Sequence, residues 1–150
     1  MSGVNLYNRE KDNFTRIKDL DALTIDIDQD TKGNLWFSTQ GKGLFKYHPE
    51  KQIWKNYIHD HKNPNSLANN QVNCVLIDTN GEMWVGTMNG LCKYNAEEDA
   101  FETLPLEIPS HNICSIIEVV NAKGSSPFHH KISSRGKYIE APFIYCSSKD

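Results

Sequence analysis

Residues 72–104 read VNCVLIDTNGEMWVGTMNGLCKYNAEEDAFETL, and their punctuation decides the fold. Val72–Ile77 is apolar and rich in β-branched residues, and Asp78-Thr-Asn-Gly81 then offers an Asn-Gly pair whose tolerance of positive φ is expected to close a two-residue hairpin. Met83–Thr87 follows as a second strand. Asn89-Gly90 punctuates before Leu91–Tyr94, and the polar run Asn95–Asp99 separates that strand from Phe101–Leu104. The unit is a four-stranded antiparallel meander. Alone, such a sheet buries one face poorly and leaves two unpaired edges, so it is stable mainly when neighbouring sheets stack on it.

The unit repeats. Gly33-Asn-Leu-Trp-Phe-Ser-Thr39 matches Gly81-Glu-Met-Trp-Val-Gly-Thr87, with glycine, tryptophan and threonine all displaced by 48. After a one-residue insertion in Gln40–Lys42, Gly43-Leu-Phe-Lys-Tyr47 matches Gly90-Leu-Cys-Lys-Tyr94, and Trp54 falls opposite Phe101, at an offset of 47. Gly3-Val-Asn-Leu-Tyr-Asn8 with Phe14 and Ile17 copies the latter half at an offset of 87. A period of about 40–50 residues, four strands each, with Gly and Trp at fixed places, marks β-propeller blades. The expected fold is therefore all-β, a β-propeller fragment of about two complete blades plus partial ones.

In order, 1–17 is the outer half of a blade, 18–57 a blade with Thr24–Asp28 innermost, and 58–71 a polar crossover loop. Residues 72–104 form the next blade and 105–150 a partial or degenerate one. Ser110–Glu118 resembles the inner strand of a further repeat, but Val119-Val-Asn-Ala-Lys-Gly-Ser-Ser-Pro-Phe-His-His130 replaces the tryptophan strand. Val119 to Glu140 reads as degenerate or frame-shifted repeat, and Phe143–Asp150 as an outer strand and exit. A chain that opens and closes inside repeats reads as a piece of a longer array.

The 150 residues are 38% hydrophobic and 23% charged, with a net charge of −3, which gives no bias toward nucleic acid. No run approaches the ~18 apolar residues of a membrane helix, and Met1–Phe14 lacks a basic-then-apolar export segment.

Asn65–Asn70, Val72–Asp78, Gly81-x-Met-Trp-Val-Gly-Thr87 and Gly90-Leu-x-Lys-Tyr-Asn95 together resemble the two-component regulator propeller repeat. The resemblance covers roughly Gly3 to Glu118. It implies the periplasmic sensor region of a hybrid two-component histidine kinase, a class often responsive to glycans.

Groups that suggest chemistry each have a plainer reading. Cys74, Cys92, Cys114 and Cys146 show no Cys-x-x-Cys spacing and read as small apolar residues, with Cys74 and Cys114 packing in successive blades. His59-Asp-His61 and His129-His130 lie in polar, loop-like surroundings and read as solvated, so no metal site is expected. Asp26, Asp28 and Asp30 alternate on or beside one strand but lack the ordering of a calcium loop; Asp30 reads as a turn residue like Asp78, the other two as facing solvent or the central channel. Trp36 and Trp84 read as blade-packing residues, not a sugar platform. No catalytic residue and no cofactor are expected. Binding residues are unknown at this level, although the rim carrying Asn65–Asn70, Gln40–Lys42 and Met88-Asn89 is the place to look.

The expected role is non-enzymatic: sensing of a glycan or other small ligand through the parent propeller, with self-association through open blade faces. An alternative is a propeller-type scaffold for protein partners. A propeller enzyme comes third.

Overall fold

The computed structural model describes residues 4–17, 20–106, 111–119, 129–134 and 137–140, and these contain strands and turns but no helix. Two sheets have four strands. One is β3 (Thr24–Gln29), β4 (Leu35–Thr39), β5 (Leu44–His48) and β6 (Ile53–Tyr57); the other is β7 (Val72–Ile77), β8 (Met83–Thr87), β9 (Gly90–Asn95) and β10 (Ala100–Leu104). Each is an antiparallel meander in sequence order. Before them β1 (Asn5–Asn8) pairs with β2 (Asn13–Arg16), and after them β11 (Ser115–Val119), β12 (His129–Ser134) and β13 (Lys137–Glu140) form a three-stranded sheet. The fold is an all-β stack of propeller blades.

The repeat extends to irregularities. Ladder register shifts between Thr24 and Asp26 in one blade and between Val72 and Cys74 in the next, the same place in both copies. A bulge there adds a residue and re-aims the side chains that follow.

Stacking creates three apolar clusters, one between each pair of sheets. Phe37 packs with Ile17, Leu20 and Ala22 toward the β1–β2 hairpin. Trp36, Leu44 and Tyr57 meet Val75, Met83, Val85 and Phe101 between the complete blades. Trp84, Cys74 and Leu91 meet Ile113 and Ile116 beyond them. Trp36 and Trp84 are 1% and 2% exposed, so both are core residues of the stack.

Three expectations need correction. The β7–β8 loop is not a two-residue Asn-Gly turn: Asp78 N–H bonds the Glu82 carbonyl at 2.9 Å, leaving Thr79–Gly81 as a three-residue loop in which Gly81, at φ 78, is the left-handed position. The Asp78 carboxylate selects this longer loop by accepting from Asn80 and Glu82 amides at 3.0 and 2.9 Å. Second, within the segment read as degenerate, His129-His130 lie on a strand and not in loop-like surroundings. Ile116 pairs with Ile132 and Ile117 with Lys131, so β12 occupies the second place in its sheet without a tryptophan. Third, Cys114 is exposed and precedes β11, while Cys74 is buried, so the two are not packed alike. The outer strand expected from Phe143 onward, with Cys146, lies outside the described residues.

Candidate functional site

Asp26 and Asp28 face neither solvent nor open channel alone. They staple one blade to the next. Asp26 Oδ2 accepts from Val75 N–H at 3.1 Å and Asp28 Oδ2 from Ile77 N–H at 2.7 Å, while their other oxygens accept from Ile27 and Gln29 amides at 2.9 and 2.8 Å. Innermost strands leave one edge unpaired, and an unpaired amide is both costly and a template for unwanted pairing. Two aspartates close four such amides across two blades.

Asp30 and Asp78 do more than make turns. Each reaches the tryptophan six residues on: Trp36 Nε1 donates to Asp30 at 2.9 Å and Trp84 Nε1 to Asp78 at 3.0 Å. Partial burial pushes the Asp30 carboxyl up, but bonds from Asn34 and Trp36 outweigh it and hold the group below its ordinary range. Carboxylates that invite thoughts of calcium or acid catalysis are thus spent on the architecture.

A second polar centre joins the same blades near their outer edge. Asp99, held at φ 53, accepts from Tyr57 and Tyr94 hydroxyls at 2.5 and 2.6 Å and from the Lys55 ammonium. Partial burial works against the charged carboxylate, yet the three donors bring its pKa from 3.8 down to about 2. Burial, with the bond to Asp99, pushes the Tyr94 phenol up to about 12 and moves Tyr57 in the same direction. The Trp36 ring stacks on Tyr57 at 5.6 Å and meets Tyr94 edge-on at 5.0 Å, so the clamp is continuous with the aromatic core.

The rim expected to bind ligand is built from crossovers and β4–β5 and β8–β9 turns. Thr39 and Thr87 hydroxyls lock those turns by donating to Gly43 and Gly90 carbonyls at 2.6 and 2.9 Å. The crossovers are then tied to the turns on either side: Gly43 N–H bonds Asn70 O at 2.9 Å and Ile113 N–H bonds Thr87 O at 2.9 Å at the preceding turns, and Met88 N–H of the following turn bonds Gln71 O at 3.0 Å. A hollow of about 420 Å³ opens there, lined by Asn89, Gly90, Thr103, Leu104, Leu106 and His111. Lys42 reaches across to the Asp21 carbonyl.

The opposite rim carries a larger hollow of about 650 Å³, lined by Glu82, Glu97, Glu98 and Glu102 with Lys93, which bonds Glu82 at 2.6 Å. Asn65, at the start of the stretch the sequence singled out, also lines this hollow; the other lining residues were not named from the sequence. Among the described residues no group of three or more His, Cys, Asp or Glu converges to hold a metal ion. Burial pushes the Cys74 thiol up to about 12 and raises that of Cys92, so both are inert packing residues.

Bulged four-stranded blades with an Asp-Trp bond in each, stacked through aromatic clusters, define a β-propeller repeat. Residues 66–89 match the family described as two component regulator propeller. Over 50 residues the chain is 46% identical to the protein named histidine kinase P4 from Formosa agariphila, a match spanning 31% of this chain and 4% of that protein. Two solved chains from B. thetaiotaomicron, described as extracellular domains of the hybrid two component systems BT3049 and BT4673, share the fold. Each superposes with a TM-score of 0.70, at 18% and 20% identity, over 87% and 92% of this chain and 19% of each of theirs. The chain therefore spans a small part of every relative named. No helix among the described residues is long and apolar enough to cross a membrane.

Proposed function

We propose that this chain is part of the extracytoplasmic, ligand-sensing propeller of a hybrid two-component histidine kinase, and that its role is binding and signal relay without catalysis. The observation that carries the reading is the repeat match over residues 66–89 on blades that superpose on extracellular domains of such systems. The use of Asp26, Asp28, Asp30 and Asp78 in stapling and tryptophan anchoring supports a non-catalytic role, because it accounts for the acidic residues best placed for chemistry. Its compartment is the periplasm of the parent protein.

The ligand is a glycan or another small polar molecule, taken at the crossover rim. Its hollow mixes amide, hydroxyl and imidazole groups with Leu104 and Leu106, the composition of a small-molecule site. The opposite rim is crowded with carboxylates and suits a neutral ligand less well. A panel of neutral oligosaccharides screened by thermal shift and calorimetry tests this: binding weakened at least about tenfold by Asn89→Ala or His111→Ala, and unchanged by Glu97→Ala, supports it. Binding insensitive to the rim variants, or no binding across the panel, overturns it.

The chain also self-associates. Ile25 and Ile27 on β3 are 48% and 47% exposed, whereas Val75, the counterpart of Ile27 one blade on, is 5% exposed because a sheet covers it. A second copy covering this face completes the stack. Sedimentation that rises with concentration, and falls in an Ile25→Lys, Ile27→Lys variant, is the expected result; a monomer at all concentrations contradicts it.

A further inference from the structure

The crossover between the complete blades brings together two histidines whose spacing alone suggested solvated surface residues. His59 is half-buried and His61 exposed. His59 Nδ1 lies 2.6 Å from the Leu67 carbonyl, and His59 Nε2 lies 3.1 Å from His61 Nδ1. A carbonyl only accepts, so the His59 proton sits on Nδ1 and its Nε2 carries a lone pair. His61 Nδ1 then donates to it. The rings meet edge-to-face at 85° with centroids 4.5 Å apart.

We propose that His59 and His61 form a two-histidine site for a divalent transition-metal ion of the zinc, nickel and copper class. Two imidazole nitrogens on one such ion, with metal–nitrogen bonds of about 2.0–2.1 Å, stand about 2.9–3.4 Å apart at tetrahedral or octahedral angles. The observed 3.1 Å falls within that range. The backbone bond behind His59 is the outer support that fixes tautomer and ring orientation in histidine metal sites. The loop itself is pinned, since His59 N–H bonds Asn70 Oδ1 at 2.7 Å and Asp60 N–H bonds Ser66 Oγ at 2.9 Å. Binding is balanced simply. Both nitrogens donate lone pairs, the His61 proton moves through solvent from Nδ1 to Nε2, and none is released. Imidazole selects this class over calcium and magnesium, which prefer oxygen. With two protein ligands the remaining positions belong to water, so the site is a weak, exchangeable one on the ligand-facing rim.

The test is a titration of the whole chain with Zn²⁺ alone, followed by calorimetry and by nitrogen-15 NMR of the imidazoles. The expected result is one ion at this pair, with the His61 signals switching from the Nδ1–H to the Nε2–H tautomer. His61→Ala and His61→Asn each weaken binding at least about tenfold, while His48→Ala and Cys114→Ser leave it unchanged. Imidazole signals of His59 and His61 that stay still at millimolar Zn²⁺, or affinity that survives both His61 variants, overturns the proposal. The NMR readout uses the unaltered chain and so stands even where a variant folds poorly.

Discussion

Replacing Asp99 with Asn tests whether the two complete blades are held by the polar clamp as well as by their apolar core. The substitution keeps a residue type that tolerates the φ of 53 while removing the charge. Three donors converge on Asp99, but they are not equivalent. The Lys55 pair is 50% and 41% exposed, so it contributes about 0–1 kcal/mol. The bond from Tyr57, a residue 8% exposed, is the deeper one. A hydrogen bond to a charged group contributes about 1.5–3 kcal/mol when well buried, and the exposure of Asp99 discounts that. Both phenols donate to Oδ1, so an amide oxygen there still accepts from them but without the charge, while its NH2 replaces the oxygen that faces Lys55. Asp99→Asn is therefore expected to cost about 1–2 kcal/mol, Tyr57→Phe a similar amount, and the pair about 1 kcal/mol less than the sum. Urea unfolding followed by tryptophan fluorescence reads all three, since Trp36 stacks on Tyr57. The sign of the pH dependence follows from a carboxyl whose folded pKa of about 2 lies below its ordinary 3.8. Its contribution is complete above about pH 4 and is lost as pH falls toward 2, so the Asn variant should show a flatter acid limb. Additive costs, or a variant as stable as the parent with an unchanged acid limb, would refute the clamp.

Other parts of the stack yield separate expectations. Asp28→Ala should free the Ile77 amide, and hydrogen exchange there should rise well above that of Val85 in the middle of the same sheet. Asp78→Ala strips a 4% exposed acceptor from two amides and the Trp84 indole and should cost about 2–4 kcal/mol in chemical denaturation, more than Asp30→Ala at its more exposed copy. Gly86→Ala places a methyl 2.4 Å from Cys74 Sγ and 2.8 Å from Ile113 Cγ2, so overpacking should cost about 1–3 kcal/mol; Ser38→Ala, at the equivalent position one blade earlier, should cost less.

Strands and their order were legible because a period of 48 repeats glycine, tryptophan and threonine in step with the alternation that marks a strand. The Asp-Trp bond left a trace too, since both copies keep the acid six residues before the indole, but reading the acid as a turn residue hid the bond. The staples from Asp26 and Asp28 reach partners 49 residues away, and the clamp from Tyr57 reaches 42. Those contacts exist only once blades stack, and no local pattern announces them. Strand β12 was missed because it carries neither the tryptophan nor the flanking glycine that identified its counterparts. The histidine pair was read as solvated because the curvature that turns His61 onto His59 comes from side-chain bonds within a loop, which spacing does not encode.

The most direct test of the sensor reading is the nucleotide sequence on both sides of the segment that encodes this chain. The account predicts further blades and an export signal upstream in frame, and downstream a membrane helix followed by histidine kinase and receiver regions. A frame that stands alone, with its own start and stop and neither blades nor kinase beyond it, would contradict the sensor and leave a self-assembling binding module in its place.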